Sequence, residues 1–194
     1  RKVRREYVAA LEAMTQGWAE GRKVRLRYRS YTKDETTERM IAPYFIEPSR
    51  NGPGAYAIGY ASWFETVRTV KLERIRWAEL TTTPFAVPAD FDVGALLGSA
   101  WGVMFGEEMQ EVRLRFAPSA RRRLGETVWR RDEVIEELPD GGCRYTVRVA
   151  HPLEMKWWIR SWGPEVVVEA PDSLRKEMAA EAEQLAEMYQ KGEE

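Results

Sequence analysis

Apolar residues at Tyr7, Leu11, Met14 and Trp18 follow the i, i+4, i+7, i+11 spacing that places side chains on one face of a helix. Gly21 closes that pattern, as glycine commonly does at a helix C-terminus. The period then drops to two. In Lys23-Val24-Arg25-Leu26-Arg27-Tyr28-Arg29-Ser30, Val24, Leu26 and Tyr28 take one face and the four cations take the other. This predicts a half-buried strand with a row of positive charge outside, either a solvated face or a dimer edge. Further strands are expected at 39–46, closed by Pro48, and at 55–62 after the turn Asn51-Gly52-Pro53-Gly54. Two more are expected at 67–72 and 74–80. Within 55–62, Tyr56, Ile58 and Tyr60 alternate with Ala55, Ala57, Gly59 and Ala61, so one face is small. Either another backbone or a ligand packs close there. One helix and about five short strands in some 80 residues suggest a small SH3-like barrel rather than a doubly wound sheet.

The rhythm changes after residue 83. Pro84, Pro88, Gly94, Gly98, Gly102 and Gly106 mark a boundary segment over 84–110, with one short helix near 93–97. Strands are then expected at 111–116, 134–138, 144–149 and 166–169, the middle two flanking the turn Pro139-Asp140-Gly141-Gly142. Helices are expected from Pro118, over 152–161, and after Pro171. The last carries Leu174, Met178, Ala182, Leu185 and Tyr189 along one stripe. The order β-α-β-β-α-β is similar to a split-βαβ, ferredoxin-like plan with an extra terminal helix.

Composition narrows the function classes. The chain has 194 residues, 44% hydrophobic and 31% charged, which suits a soluble globular protein of one large or two small domains. No run approaches the roughly 18 uninterrupted apolar residues of a membrane span, and Arg1-Lys2-Val3-Arg4-Arg5 lacks a signal peptide's apolar core. The single cysteine, Cys143, excludes an intramolecular disulfide and points to a reducing cytoplasm. With one histidine beside it, a structural zinc site of the usual Cys/His type is not expected. That histidine lies in His151-Pro152-Leu153-Glu154, which reads as a helix start rather than a catalytic site. No glycine-rich phosphate loop or acid/base pair stands out, so neither enzyme activity nor a cofactor is expected. The charge is unevenly placed: residues 1–83 carry 16 Lys and Arg against 10 Asp and Glu, a net of +6, whereas 84–194 carry 14 against 21, a net of −7. A positive first half suits an anionic ligand.

Particular residues resemble a known family. Val24-x-Leu26-x-Tyr28, Arg39-x-Ile41-x-Pro43, Tyr56 after a glycine turn, and Arg68-Thr69-Val70-Lys71-Leu72-Glu73-Arg74-Ile75 look like a WYL domain. Val112 to Phe116, Asp140-Gly141, Trp158-Ile159-x-x-Trp162-Gly163 and Val167-x-Glu169-x-Pro171-x-x-Leu174 are similar to the WCX extension that often follows it. The name-giving Trp-Tyr-Leu triplet stands here as Ala55-Tyr56-Ala57, so a pocket wall built by that Trp and Leu would be supplied differently or be wider. The resemblance implies an α+β chain. Its parts would be a connector helix (1–22), a small SH3/Sm-like WYL β-barrel (23–83), a linker (84–110) and a ferredoxin-like WCX domain (111–194).

The resemblance also implies a role: the effector-sensing and dimerising region of a homodimeric bacterial transcription regulator. The effector would be a nucleotide or oligonucleotide, and DNA would be read by a winged helix-turn-helix placed before Arg1. The alternative is a stand-alone module that binds single-stranded nucleic acid. Carried over by position, the ligand-binding residues are Tyr28, Arg39, Tyr56, Arg68 and Arg74. Guanidinium groups grip phosphate oxygens in pairs, and tyrosine rings stack bases. Core packing for the tyrosines, and surface bridges from Arg68 and Arg74 to Glu65, Glu73 or Glu79, remain open alternatives. Arg121-Arg122-Arg123 reads most simply as a solvated helix face, and Trp157, Trp158 and Trp162 as core or dimer packing.

Overall fold

The helical stripe and the alternating segment after it pack on each other. The structure, a computed structural model, describes residues 2–29, 35–49 and 54–191. Asn51, Gly52 and Pro53 of the expected turn, and Ser30 at the end of the first strand, lie outside the described residues. Helix α1 (Lys2–Glu20) stops at Gly21, whose φ of 62° lies in the left-handed region that glycine enters without strain. Strand β1 (Arg22–Arg29) buries Val24 and Leu26 and exposes Arg25 and Arg27, as its alternation demands. The chain divides into two compact units, Arg1–Val93 and Gly94–Glu194.

In the first unit β1 is followed by β2 (Thr36–Pro48), β3 (Ala55–Ala61), β4 (Thr66–Lys71), a 3₁₀ turn at Leu72–Arg74, and β5 (Ile75–Pro84). They form an open antiparallel sheet in the order β4-β3-β2-β1-β5. Because β1 pairs on both sides, its cations do not line an edge, which removes the dimer-edge reading. Arg25 stands between Met40 and Glu79, and Arg27 between Glu38 and Trp77. β2 is longer than expected and contains Pro48 as its last residue. An irregularity between Pro43 and Phe45 bends it, and such a break tolerates a proline with no N–H to donate. The core joins Ala10 and Met14 of α1 to Val24, Leu26, Ile41 and Leu72.

The small face of β3 has a direct explanation. A Cβ on Gly59 would lie 2.0 Å from the Ala42 carbonyl oxygen and 2.9 Å from Pro43 Cα. The close neighbour is the β2 backbone, not a ligand.

In the second unit, α2 (Val93–Gly98) leads in from the last residue of the first. There follow β6 (Gln110–Phe116), α3 (Pro118–Gly125), β7 (Val134–Glu137) and β8 (Cys143–Val149). After them come a 3₁₀ turn at Pro152–Met155, α4 (Lys156–Arg160), a 3₁₀ turn at Gly163–Glu165, β9 (Val166–Ala170) and α5 (Asp172–Lys191). The sheet is again antiparallel and open, in the order β7-β8-β6-β9. The helix expected over 152–161 is split into a 3₁₀ turn and a five-residue helix. Both units thus combine helices with one antiparallel sheet, and the chain is mixed α+β.

Val112, Leu114 and Phe116 of β6 and Tyr145 and Val147 of β8 form a core with the tryptophans. Trp158 lies at its centre, 4.8 Å from Trp101, 5.1 Å from Trp129 and 5.2 Å from Tyr145, ring to ring. Trp162 is buried beside it, whereas Trp157 is 66% exposed, so the core reading fails for that residue. The stripe on α5 is buried only at Leu174. Met178 packs against the core while still partly exposed, and Leu185 and Tyr189 face solvent. Among the described residues, no helix is long and apolar enough to cross a membrane.

Candidate ligand site

Arg39 and Arg68 lie on β2 and β4, with β3 between them. Residues two apart in a strand, and directly paired residues in neighbouring strands, share a face. Arg39 is two residues from Ile41, which pairs with Ala61; Ala61 is two from Gly59, which pairs with Arg68. The two arginines therefore stand on one face of the sheet. The turn joining β3 to β4, Ser62 to Glu65, carries two consecutive aromatic residues toward them. The Arg39 guanidinium lies 5.5 Å from the Trp63 ring centroid, and that of Arg68 lies 5.2 Å from Phe64. The two rings are 5.9 Å apart at an angle of 46°. Arg25, Glu38, Arg39, Met40, Ser62 and Trp63 line an open depression of about 400 Å³.

The turn is held firmly. Both the backbone N–H and the hydroxyl of Ser62 donate to the Met40 carbonyl, at 3.1 and 2.9 Å. The N–H groups of Phe64 and Glu65 donate to the Ala61 carbonyl at 3.0 and 2.9 Å. Glu65 adopts a φ of 53°, which costs a residue with a Cβ about 1–2 kcal/mol. The folded chain sustains that strain while leaving Phe64 58% exposed.

The other three expected residues are placed differently. Tyr28 is half-buried and packs against the first unit's core. Tyr56 pairs with Glu47 and Lys71 on the opposite face of β3 from Gly59, and the Lys71 ammonium lies 5.7 Å from its ring. Arg74 sits in the 3₁₀ turn between β4 and β5, half-buried. Ala55 and Ala57, at the positions of the family's Trp and Leu, are buried in the core. Larger side chains there would enter the core, so their loss does not by itself open a wall on the Tyr56 face. Trp63 and Phe64 escaped the sequence reading because they lie outside the alternating segments. The available signal was a pair of aromatics at the point where alternation stops.

In the second unit each arginine of the Arg121-Arg122-Arg123 run has an acidic neighbour. Arg121 donates to Glu137, Arg122 lies 3.6 Å from Glu126, and Arg123 lies 3.5 Å from Glu165. Arg123 also stacks on Trp162 with its guanidinium carbon 3.8 Å from the ring centroid. Cys143 is buried, and that burial pushes its thiol above the usual range, away from the reactive thiolate. His151 is exposed and its Nε2 lies 3.2 Å from the Phe105 carbonyl oxygen. Among the described residues, no group of three or more His, Cys, Asp or Glu side chains is placed to hold a metal ion.

Comparison with known proteins follows this division into two units. The WYL domain model matches residues 9–80, and the WCX domain model matches residues 108–186. No curated protein matches the chain. Among solved structures, proteasome accessory factor B/C (PafBC) of Arthrobacter aurescens aligns at 28% identity over 90% of this chain and 26% of its own, with a TM-score of 0.40. A structure described as a CRISPR Cas-related protein aligns at 12% identity over 99% of this chain and 54% of its own, with a TM-score of 0.60. The second likeness is one of fold alone, and this chain spans about a quarter and about half of the two proteins' respective lengths. With both domain models matched in order, the chain belongs to the WYL family, a WYL domain followed by a WCX domain.

Proposed function

We propose that this chain is the effector-sensing and dimerising region of a bacterial WYL-type transcription regulator, acting in the cytoplasm on a nucleotide or nucleic-acid-like anion. In this reading the first sheet is an opened SH3/Sm-like barrel and the second a ferredoxin-like layer. The strand orders β4-β3-β2-β1-β5 and β7-β8-β6-β9 support it. DNA is read by a further domain, and the chain senses rather than catalyses.

The observation that carries the ligand reading is the shared face of Arg39 and Arg68. Two permanently charged forks on one rigid sheet match phosphate oxygens, and stacking on aromatic rings limits the side-chain freedom lost on binding. The net charge of +6 on residues 1–83 adds long-range attraction for anions.

Native mass spectrometry of the protein purified from its own host tests this reading. A dimer retaining an anionic ligand, with the ligand lost in the Arg39→Ala/Arg68→Ala double variant, is the expected result. A ligand-free monomer, or unchanged ligand occupancy in the variant, would contradict it.

A further inference from the structure

Residues 99–109 of the second unit form neither helix nor strand, yet Ala100, Trp101 and Val103 are buried there. Side chains from elsewhere in the unit fasten the stretch. The Glu154 carboxylate accepts the backbone N–H groups of three consecutive residues, Gly102, Val103 and Met104, at 2.8, 2.7 and 3.1 Å. A Cβ on Gly102 would lie 2.8 Å from Glu154 Oε1, so the absent side chain lets the carboxylate close on the backbone. Arg130 donates to the carbonyls of Gly98 and Ala100, and His151 Nε2 lies 3.2 Å from that of Phe105. Trp101 sits in the middle of this stretch and packs 4.8 Å from Trp158, ring to ring. In the same aromatic cluster, the indole N–H groups of Trp129, Trp158 and Trp162 are buried without an acceptor. A buried donor in that state has given up its hydrogen bond to water and gained none in exchange.

We infer that residues 99–106 form a strap closed over a site for a neutral, planar heteroaromatic molecule, with Trp101 as its occupant in the free protein. A flat ring that takes the place of Trp101 keeps the aromatic packing against Trp158. Ring nitrogens or carbonyl oxygens on its edge supply the acceptors that the buried indoles lack, which Trp101 cannot do because its own indole is a donor only. The ligand is neutral because the charged groups around the cluster are already matched. Arg130 pairs with Asp132 at 2.9 Å, and Glu133 Oε2 accepts from the Tyr145 hydroxyl and from the N–H groups of Trp129 and Arg130. An ion entering here would be buried without a counter-charge. Glu154 acts as the latch: the strap opens only when its three contacts break, so the apparent affinity is the intrinsic one reduced by the open fraction. The site lies wholly in the second unit and stands independently of the arginine pair on the first sheet.

The probes are quinoxaline and naphthalene, which share one fused-ring shape but differ in that only quinoxaline carries ring nitrogens as acceptors. Both are titrated against the full chain by ligand-observed NMR, in the wild type and in Glu154→Gln. Glu154→Gln keeps the side chain's size and weakens the latch. It should raise amide hydrogen exchange at residues 102–104 and tighten quinoxaline binding, each by about tenfold. Naphthalene should bind about tenfold more weakly than quinoxaline to both proteins. Trp129→Phe, which keeps a ring and removes one buried donor, should narrow that gap. Equal affinity for the two probes would overturn the role of the indole donors. Unchanged exchange and unchanged affinity in Glu154→Gln would overturn the strap, and failure of quinoxaline to bind either protein would overturn the site itself.

Discussion

Gly59 of β3 and Arg68 of β4 are cross-strand partners, and a Cβ on the glycine would run into the β2 backbone at Ala42 and Pro43. Any side chain at 59 would collide with the Ala42 carbonyl, so the position of Arg68 relative to β2 depends on this one missing Cβ. Gly59→Ala should force β2 and β3 apart and cost about 2–4 kcal/mol. Urea unfolding followed by circular dichroism measures it. An unchanged midpoint would mean that the strands accommodate the methyl group.

Trp157 and Trp158 are neighbours in sequence with opposite environments. Trp158 is enclosed by Trp101, Trp129 and Tyr145, while Trp157 is 66% exposed and has the Arg160 guanidinium 5.5 Å from its ring. Trp158→Ala should cost about 3–5 kcal/mol, and Trp157→Ala less than about 0.5 kcal/mol. Thermal unfolding of the two variants side by side distinguishes them.

Tyr145 supplies a pH dependence. Its hydroxyl donates to Glu133 Oε2 at 2.9 Å, and the same oxygen accepts the backbone N–H groups of Trp129 and Arg130 at 3.1 and 2.9 Å. Burial, followed by the negative charge of Glu133, pushes the phenol well above its ordinary value. The folded state thus prefers the protonated form. Its stabilising contribution is complete below about pH 10, where the unfolded phenol titrates, and is lost progressively above it. Tyr145→Phe should cost about 1–2 kcal/mol at pH 7 and flatten the fall in stability above pH 10. Parallel alkaline unfolding curves for the two proteins would contradict this.

What was legible in the sequence was periodicity. The alternation of Val24, Leu26 and Tyr28 located β1 and its buried face, and the Ala-Gly-Ala series marked the close packing at Gly59. Pairing between strands was not legible. Alternation places Tyr56 and Gly59 on opposite faces, but only the pairing of Ile41 with Ala61 and Gly59 with Arg68 brings Arg39 and Arg68 to one face. The stripe on α5 shows the opposite limit: a 3.6-residue period identifies a face, not whether anything covers it, and beyond Met178 the described residues of that face lie open. Trp63 and Phe64 were missed because a turn has no period to read.

The proposed site requires Arg39 and Arg68, which stand on one face of the sheet, each to contact a phosphate of the same bound strand. Its most direct measurement is the salt dependence of single-stranded oligonucleotide binding to the wild type and to the Arg39→Ala/Arg68→Ala double variant. Each phosphate contact to a single strand contributes about 0.7 to the slope of log affinity against log salt. The wild-type slope should be steeper than the variant's by about 1.4, twice that single-contact contribution, with weaker binding by the variant at every salt concentration. Identical affinities and slopes in the two proteins would contradict the claim.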